Sequence, residues 1–113
     1  MDCIFCKIAN GEIPSEFVYE DDQVVVINDL NPQAPVHMLV LPKKHIACLS
    51  ESSDEDQALL GHMLRVAAKA AELRGIAAPG FRLVINNGKD GAQSVMHLHM
   101  HVLGGKQMAE SMA

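Results

Sequence analysis

Three histidines, His97, His99 and His101, alternate with Leu98, Met100 and Val102 near the end of the chain. A β-strand sends alternate side chains to opposite faces. This spacing therefore sets three imidazoles on one face, about 7 Å apart, and turns the apolar residues toward a core. Packing requires the apolar side; it does not require three imidazoles on the other. Such a face can bind a metal through ring nitrogens. It can also attack an electrophile, because neutral imidazole is a good nucleophile and, once phosphorylated, a good leaving group. The residues just upstream favour attack. Gly88 and Gly91 allow backbone N–H groups close to an anion, and Gln93 and Ser94 add an amide and a hydroxyl. That loop suits a phosphate better than a metal. A second candidate is Cys3-x-x-Cys6, with Cys48 the third cysteine. An odd count with this spacing suggests metal or redox chemistry rather than a structural disulfide.

The elements that hold these groups are legible from period and punctuation. Phe5 to Ala9 reads as a short helix, stopped by Asn10-Gly11 and Pro14. Phe17 to Glu20 and Val24 to Asn28 read as a hairpin turned by Asp21-Asp22, and Val36 to Leu41 as a third strand ended by Pro42. Ser52 to Gly75 is the one long helix, with a Ser52/Glu55 capping box, acidic residues in the first turn and Gly75 at the C′ position. Its apolar stripe is Leu59, Leu60, Met63, Leu64, Ala67, Ala68 and Ala71. Phe81 to Asn86 is a fourth strand and Val95 to Leu103 a fifth, separated by a polar loop. Strands, a long helix, then strands predict an α+β domain with a five-stranded antiparallel sheet.

The 113 residues fit one domain, 1–113, and the 49% apolar content supplies a core. A domain this small gains from oligomerisation. The net charge of -5 argues against a nucleic-acid partner. No apolar run approaches the roughly 20 residues that span a bilayer. The opening Met1-Asp2-Cys3 shows no basic-then-apolar leader, so a cytoplasmic protein is expected.

The segment Gln93-Ser94-Val95-Met96-His97-Leu98-His99-Met100-His101-Val102-Leu103 resembles the defining motif of the histidine triad (HIT) family. Gly104-Gly105-Lys106-Gln107-Met108 resembles its Hint branch, the histidine triad nucleotide-binding proteins. Ile4-Phe5, Gly11-Glu12-Ile13-Pro14, Tyr19-Glu20-Asp21-Asp22, Asn31-Pro32-Gln33-Ala34-Pro35-Val36-His37 and Leu41-Pro42-Lys43-Lys44-His45-Ile46 match in the same order, over nearly the whole chain. The resemblance implies a homodimer whose two sheets join into one. It implies binding of purine nucleoside monophosphates, and hydrolysis of adenosine 5′-phosphoramidates to AMP and an amine without a cofactor in the chemistry. In that frame His99 is the nucleophile that carries a nucleotidyl intermediate, and His101 contacts the phosphate. His97 and His37 complete a four-histidine set, and Gln93 and Ser94 contact the phosphate and leaving group. Asn86 lies in the same pocket, and Asp29 binds the ribose hydroxyls. Ile4, Phe5, Ile8, Ile27 and Leu30 enclose the base, with Asn28 beside Asp29 where many members carry histidine. Read alone, Asp29 and Asn86 are turn formers, His37 a buried histidine, and the apolar set ordinary core.

In several bacterial relatives the C-x-x-C pair joins two histidines, which here are His45 and His97. Cys3, Cys6, His45 and His97 make a tetrahedral set for a structural zinc. Two further departures accompany Asn28. Ala92 replaces a common glycine before Gln93, and the aromatic C-terminal tail of some relatives is missing after Met108. Rival readings are a dinucleoside polyphosphate hydrolase of the Fhit kind, a nucleotide-binding regulatory module with incidental catalysis, and a metal-dependent hydrolase. The Gly104-Gly105 ending favours the Hint branch.

Overall fold

The computed structural model describes residues 3–111; Met1, Asp2, Met112 and Ala113, and with them the opening residues on which the localisation expectation rests, lie outside it. Runs of β-branched and aliphatic residues form the strands, as their pattern demands. These are β1 (Phe17–Glu20), β2 (Val24–Asn28), β3 (Val36–Pro42), β4 (Phe81–Val84) and β5 (Met100–Gly104). All neighbours are antiparallel in the order β1-β2-β3-β5-β4. Asp21 closes the first hairpin, its Oδ1 accepting the N–H groups of Gln23 (2.8 Å) and Val24 (3.0 Å).

Alternation along β2, β3 and β5 divides the core. Val24, Val26, Met38, Val40, Met100 and Val102 face the long helix α2 (Gln57–Leu73) and meet its Leu59, Met63, Val66, Ala67, Ala70 and Ala71. Val25, Ile27, Leu39 and Leu41 face the other way, under the short helix α1 (Ile4–Ala9) with its Phe5, Ile8 and Ala9. Each fully buried aliphatic side chain contributes about 1.5–3 kcal/mol. The sheet is covered on both sides, and the second side carries His37 and His101. No helix among the described residues is long and apolar enough to cross a membrane.

Three boundaries differ from the pattern-based expectation by two residues or more. The long helix starts five residues late, after two short 3₁₀ turns (Leu49–Glu51 and Asp54–Asp56). The capping box that precedes it, at the second 3₁₀ turn, is Ser53 with Asp56 rather than Ser52 with Glu55, and Asp56 also takes the Lys44 ammonium at 2.6 Å. Its buried face includes Val66 and Ala70, while Leu64 is exposed. The helix ends as expected: Gly75 has φ +74°, and Gly75 and Ile76 donate to Glu72 and Ala71 in a Schellman arrangement. The strand β4 stops at Val84, short of Asn86.

The third boundary bears on function. The fifth strand begins at Met100, not Val95. Its partner β3 ends at Pro42, which has no N–H to extend the ladder. Leu98 donates instead to Ile46 O at 2.6 Å. Of the three alternating histidines, only His101 lies on the strand, opposite Leu39; His97 and His99 precede it in irregular backbone.

Candidate active site

The histidines nonetheless form one row. Ring centroids of His99 and His101 are 5.1 Å apart, and those of His101 and His37 also 5.1 Å. Phe5 of α1 stands edge-on to both His99 (5.1 Å) and His97 (6.1 Å). His37, His97 and His99 are buried and His101 half-buried. His37 comes from β3, where it pairs with Leu103 of β5, so both strands fix the His37–His101 contact.

Hydrogen bonds assign the tautomer of each ring. His99 Nδ1 lies 2.7 Å from the carbonyl of His97, which can only accept. Nδ1 therefore carries the proton and Nε2 the lone pair. His37 Nδ1 accepts the Gln33 N–H at 3.0 Å, so its Nε2 carries the proton and donates to His101 Nδ1 at 2.8 Å. Asp29 Oδ2, 3.4 Å from the same Nε2, adds a negative charge beside that proton. Burial, with the neighbouring His99 and His37 rings, pushes the His101 pKa down to about 4, against the pull of Asp29. His101 is thus neutral near pH 7 with its proton on Nε2. The row presents a bare nitrogen on His99 beside an N–H donor on His101: a nucleophile and an electrostatic partner.

Asp29, His37 and His101 are close enough to share a cation. The Gln33 N–H argues against it. Coordination through His37 Nε2 would strip the ring of its only proton and leave an imidazolate.

The second cluster is of another kind. His97 Nε2 donates to Pro42 O at 2.8 Å, which leaves Nδ1 bare. Around that atom lie Cys3 Sγ (3.3 Å), Cys6 Sγ (3.4 Å) and His45 Nδ1 (3.2 Å), and Cys6 Sγ is 3.2 Å from His45 Nδ1. Tetrahedral ligation with metal–nitrogen near 2.0–2.1 Å and metal–sulfur near 2.3 Å sets ligand atoms roughly 3.3–3.8 Å apart. The observed separations, 3.2–3.4 Å, sit at or just below the short end of that range, so small shifts of the side chains let the four donors fit a divalent cation. Burial, and the Cys3 thiol beside it, push the Cys6 thiol up to about 11. A cation would reverse that by replacing the proton.

The other site candidates divide. Phe5, Ile8 and Ile27 pack together on the histidine side of the sheet. Ile4 is 52% exposed and Leu30 97% exposed, so neither encloses anything in the single chain. Asn28 is not brought to the histidines: it pairs with Met38 on the α2 side and accepts a hydrogen bond from Arg74. Asp29 accepts the Asn31 N–H at 2.8 Å, so the turn role and the position beside His37 coexist. Asn86 is half-buried just beyond β4. Gln93 folds into its own loop, donating to Ala47 O and Val95 O and accepting from Gly88 N. Ser94 is exposed at the loop surface. Residue types could not reveal the main-chain groups that set the tautomers: Gln33 N–H and the carbonyls of His97 and Pro42.

An antiparallel sheet carrying a histidine row is the arrangement of a histidine triad fold; here a Cys2His2 cluster stands at one end. The family model described as "Scavenger mRNA decapping enzyme C-term binding" matches residues 2–113. An uncharacterized HIT-like protein of Synechocystis is 53% identical over 105 residues, 93% of this chain and 91% of its own length. A histidine triad protein from Clostridium difficile superposes with a TM-score of 0.95 at 52% identity, over 98% of this chain and 96% of that one. A HIT family hydrolase from Legionella pneumophila gives 0.93 at 47%, over 96% and 97%. A Zn-bound histidine triad family protein from Mycobacterium smegmatis gives 0.78 at 33%, over 97% and 79%. The chain belongs to the histidine triad family.

Proposed function

We propose that this protein is a hydrolase of the Hint branch that cleaves purine nucleoside 5′-phosphoramidates through a covalent intermediate on His99. The observation that carries the reading is the His99 Nδ1–H bond to His97 O, which leaves Nε2 free to attack. In the first step His99 Nε2 bonds to phosphorus and the P–N bond breaks. The His101 Nε2–H donates to a phosphoryl oxygen as its charge grows. The Ser94 hydroxyl relays a solvent proton to the departing nitrogen, so the amine leaves neutral and Ser94 stays a hydroxyl. In the second step water attacks phosphorus, the Nε2–P bond breaks and the water's proton passes to solvent, releasing AMP. Phe5, Ile8 and Ile27 give the base an apolar wall, and Asp29 can accept two hydrogen bonds from a ribose diol.

In this reading Cys3, Cys6, His45 and His97 hold a structural zinc; the Zn-bound Mycobacterium smegmatis relative and the donor geometry support it. The metal would staple α1 to the histidine segment and take no part in the reaction. The partner subunit of a homodimer would pair along β4, whose outer edge is open in the sheet order.

The test is rapid-quench denaturing mass spectrometry with an adenosine phosphoramidate. A nucleotidyl adduct on His99, absent from His99→Gly protein, is expected. Turnover that survives His99→Gly would show that another group attacks.

A further inference from the structure

The C-x-x-C spacing that suits a metal also suits a disulfide. Cys3 is the N-cap of α1, its Sγ accepting the Cys6 N–H at 3.3 Å, and the two Sγ atoms lie within 4.8 Å of each other. Residues three apart on a helical turn are neighbours, so joining these sulfurs needs side-chain rotation rather than backbone movement. Cys6 is half-buried and Cys3 only just buried, at 9% exposure, so a small oxidant reaches the pair from the Cys6 side. The same sulfurs tie α1 to His97 and His45. Between them sits Phe5, edge-on to the His99 ring. Whatever moves the sulfurs moves both a wall of the base pocket and the residue whose carbonyl orients His99.

Building on the nucleotide reading above, we infer that Cys3 and Cys6 form a peroxide-sensitive dithiol latch, whose oxidation expels the metal and loosens the nucleotide pocket. The Cys6 thiolate attacks a peroxide oxygen. The O–O bond breaks, giving a sulfenic acid and a hydroxide that leaves as water after taking a proton. The Cys3 thiolate then attacks the Cys6 sulfur. An S–S bond forms, the S–O bond breaks, and a second hydroxide takes a proton and departs as water. Two electrons have passed from the two thiolates to the peroxide. With both thiolates consumed, only His45 and His97 remain as ligands, too few to retain a tetrahedral cation. A dithiol reductant reverses the exchange and readmits the metal.

The test uses the full chain carrying Cys48→Ala, which removes the unrelated thiol, loaded with one equivalent of zinc and treated with hydrogen peroxide. The expected product has lost two hydrogens in mass, links Cys3 to Cys6 in a peptide map, and has released its zinc to a colorimetric chelator. Hydrogen exchange should quicken at the amides of Lys7 and Asn10, which bond to the carbonyls of Cys3 and Cys6. AMP affinity should fall about tenfold or more, the scale on which a disturbed metal surround degrades a site, and dithiothreitol with zinc should restore it. The latch is overturned if zinc stays bound, if sulfinic acids form in place of the disulfide, or if the disulfide forms without changing exchange in α1. Global unfolding on oxidation, seen by circular dichroism, overturns it too. Should the reduced, zinc-loaded protein fail to bind AMP, the nucleotide reading falls, while zinc release and exchange still decide the latch.

Discussion

Replacing His37 with Phe isolates what the ring relay contributes. The substitution keeps a ring of similar size on β3 and removes both nitrogens. The Gln33 N–H is on the surface and turns to water at little cost. The half-buried His101 Nδ1 loses the donor that stood 2.8 Å away, a loss of about 1–3 kcal/mol. In a domain of this size that corresponds to a fall in Tm of roughly 5–15 °C. The larger effect is on the proton of His101. Without a donor at Nδ1 the ring is free to carry its proton there, which withdraws the Nε2–H from the phosphoryl group. Loss of one preorganised donor to developing charge costs about 100–1000-fold in kcat, with KM little changed because the base and ribose contacts remain. Turnover of an adenosine phosphoramidate measures the rate. Nitrogen NMR of the imidazoles reads the tautomer directly, since a bare and a protonated ring nitrogen resonate far apart. The argument is refuted if His101 Nε2 reads as the bare nitrogen in the unmodified protein, or if His37→Phe retains full kcat.

Three further outcomes are expected. Cys6→Ser should weaken zinc binding by at least about 100-fold and lower Tm, while the surviving folded fraction still forms the His99 adduct; an adduct that vanishes with the metal would instead place the metal in the reaction. Stability should fall with acid in two stages. Between about pH 6.5 and 4 an unfolded histidine takes up a proton that folded His101 refuses, costing up to about 3 kcal/mol. Below about pH 4 the unfolded chain takes up protons at Asp21 and Asp56 that the folded carboxylates refuse, so stability falls again. Burial pushes Asp21 up, but the Gln23 and Val24 amides, His62 and Tyr19 hold it well below the carboxylate range; the Lys44 ammonium and the Ser53 amide hold Asp56 down. Urea midpoints against pH check this, and stability that rises between pH 6.5 and 4 contradicts it. Ala92 has φ +60°, a left-handed conformation that glycine adopts without strain, so Ala92→Gly should raise Tm by about 2–4 °C with the fold unchanged.

Much of the architecture was written in local pattern. Strands β1 and β2 begin and end where β-branched runs and the Asp21-Asp22 turn place them. The helix start was not legible, because Ser52/Glu55 and Ser53/Asp56 are equal as sequence, and the Lys44 contact that accompanies the second comes from twelve residues upstream. The late start of β5 was hidden for a similar reason. Alternation says strand from Val95 onward, but the partner's Pro42 withholds a donor, and only the pairing of two distant segments reveals that. The triad histidines could be found by spacing. Their partner His37 could be placed only by family resemblance, since a single histidine on an apolar strand carries no signal of its own. Asn28 shows the limit of such placement: its position matches a pocket residue, but the period-2 alternation of β2 sends its side chain to the opposite face, where Arg74 meets it.

His101 is woven into the ladder between β3 and β4, whereas His99, two residues earlier, stands just outside the weave. Under the proposed chemistry, the two members of the reacting pair therefore differ in mechanical compliance. The donor is anchored by backbone on both sides; the attacker rides on a segment steered by side chains and by the loop before it. Natural or laboratory variation within residues 86–96 can retune the angle and reach of the attacker while leaving the anchored donor and the sheet intact.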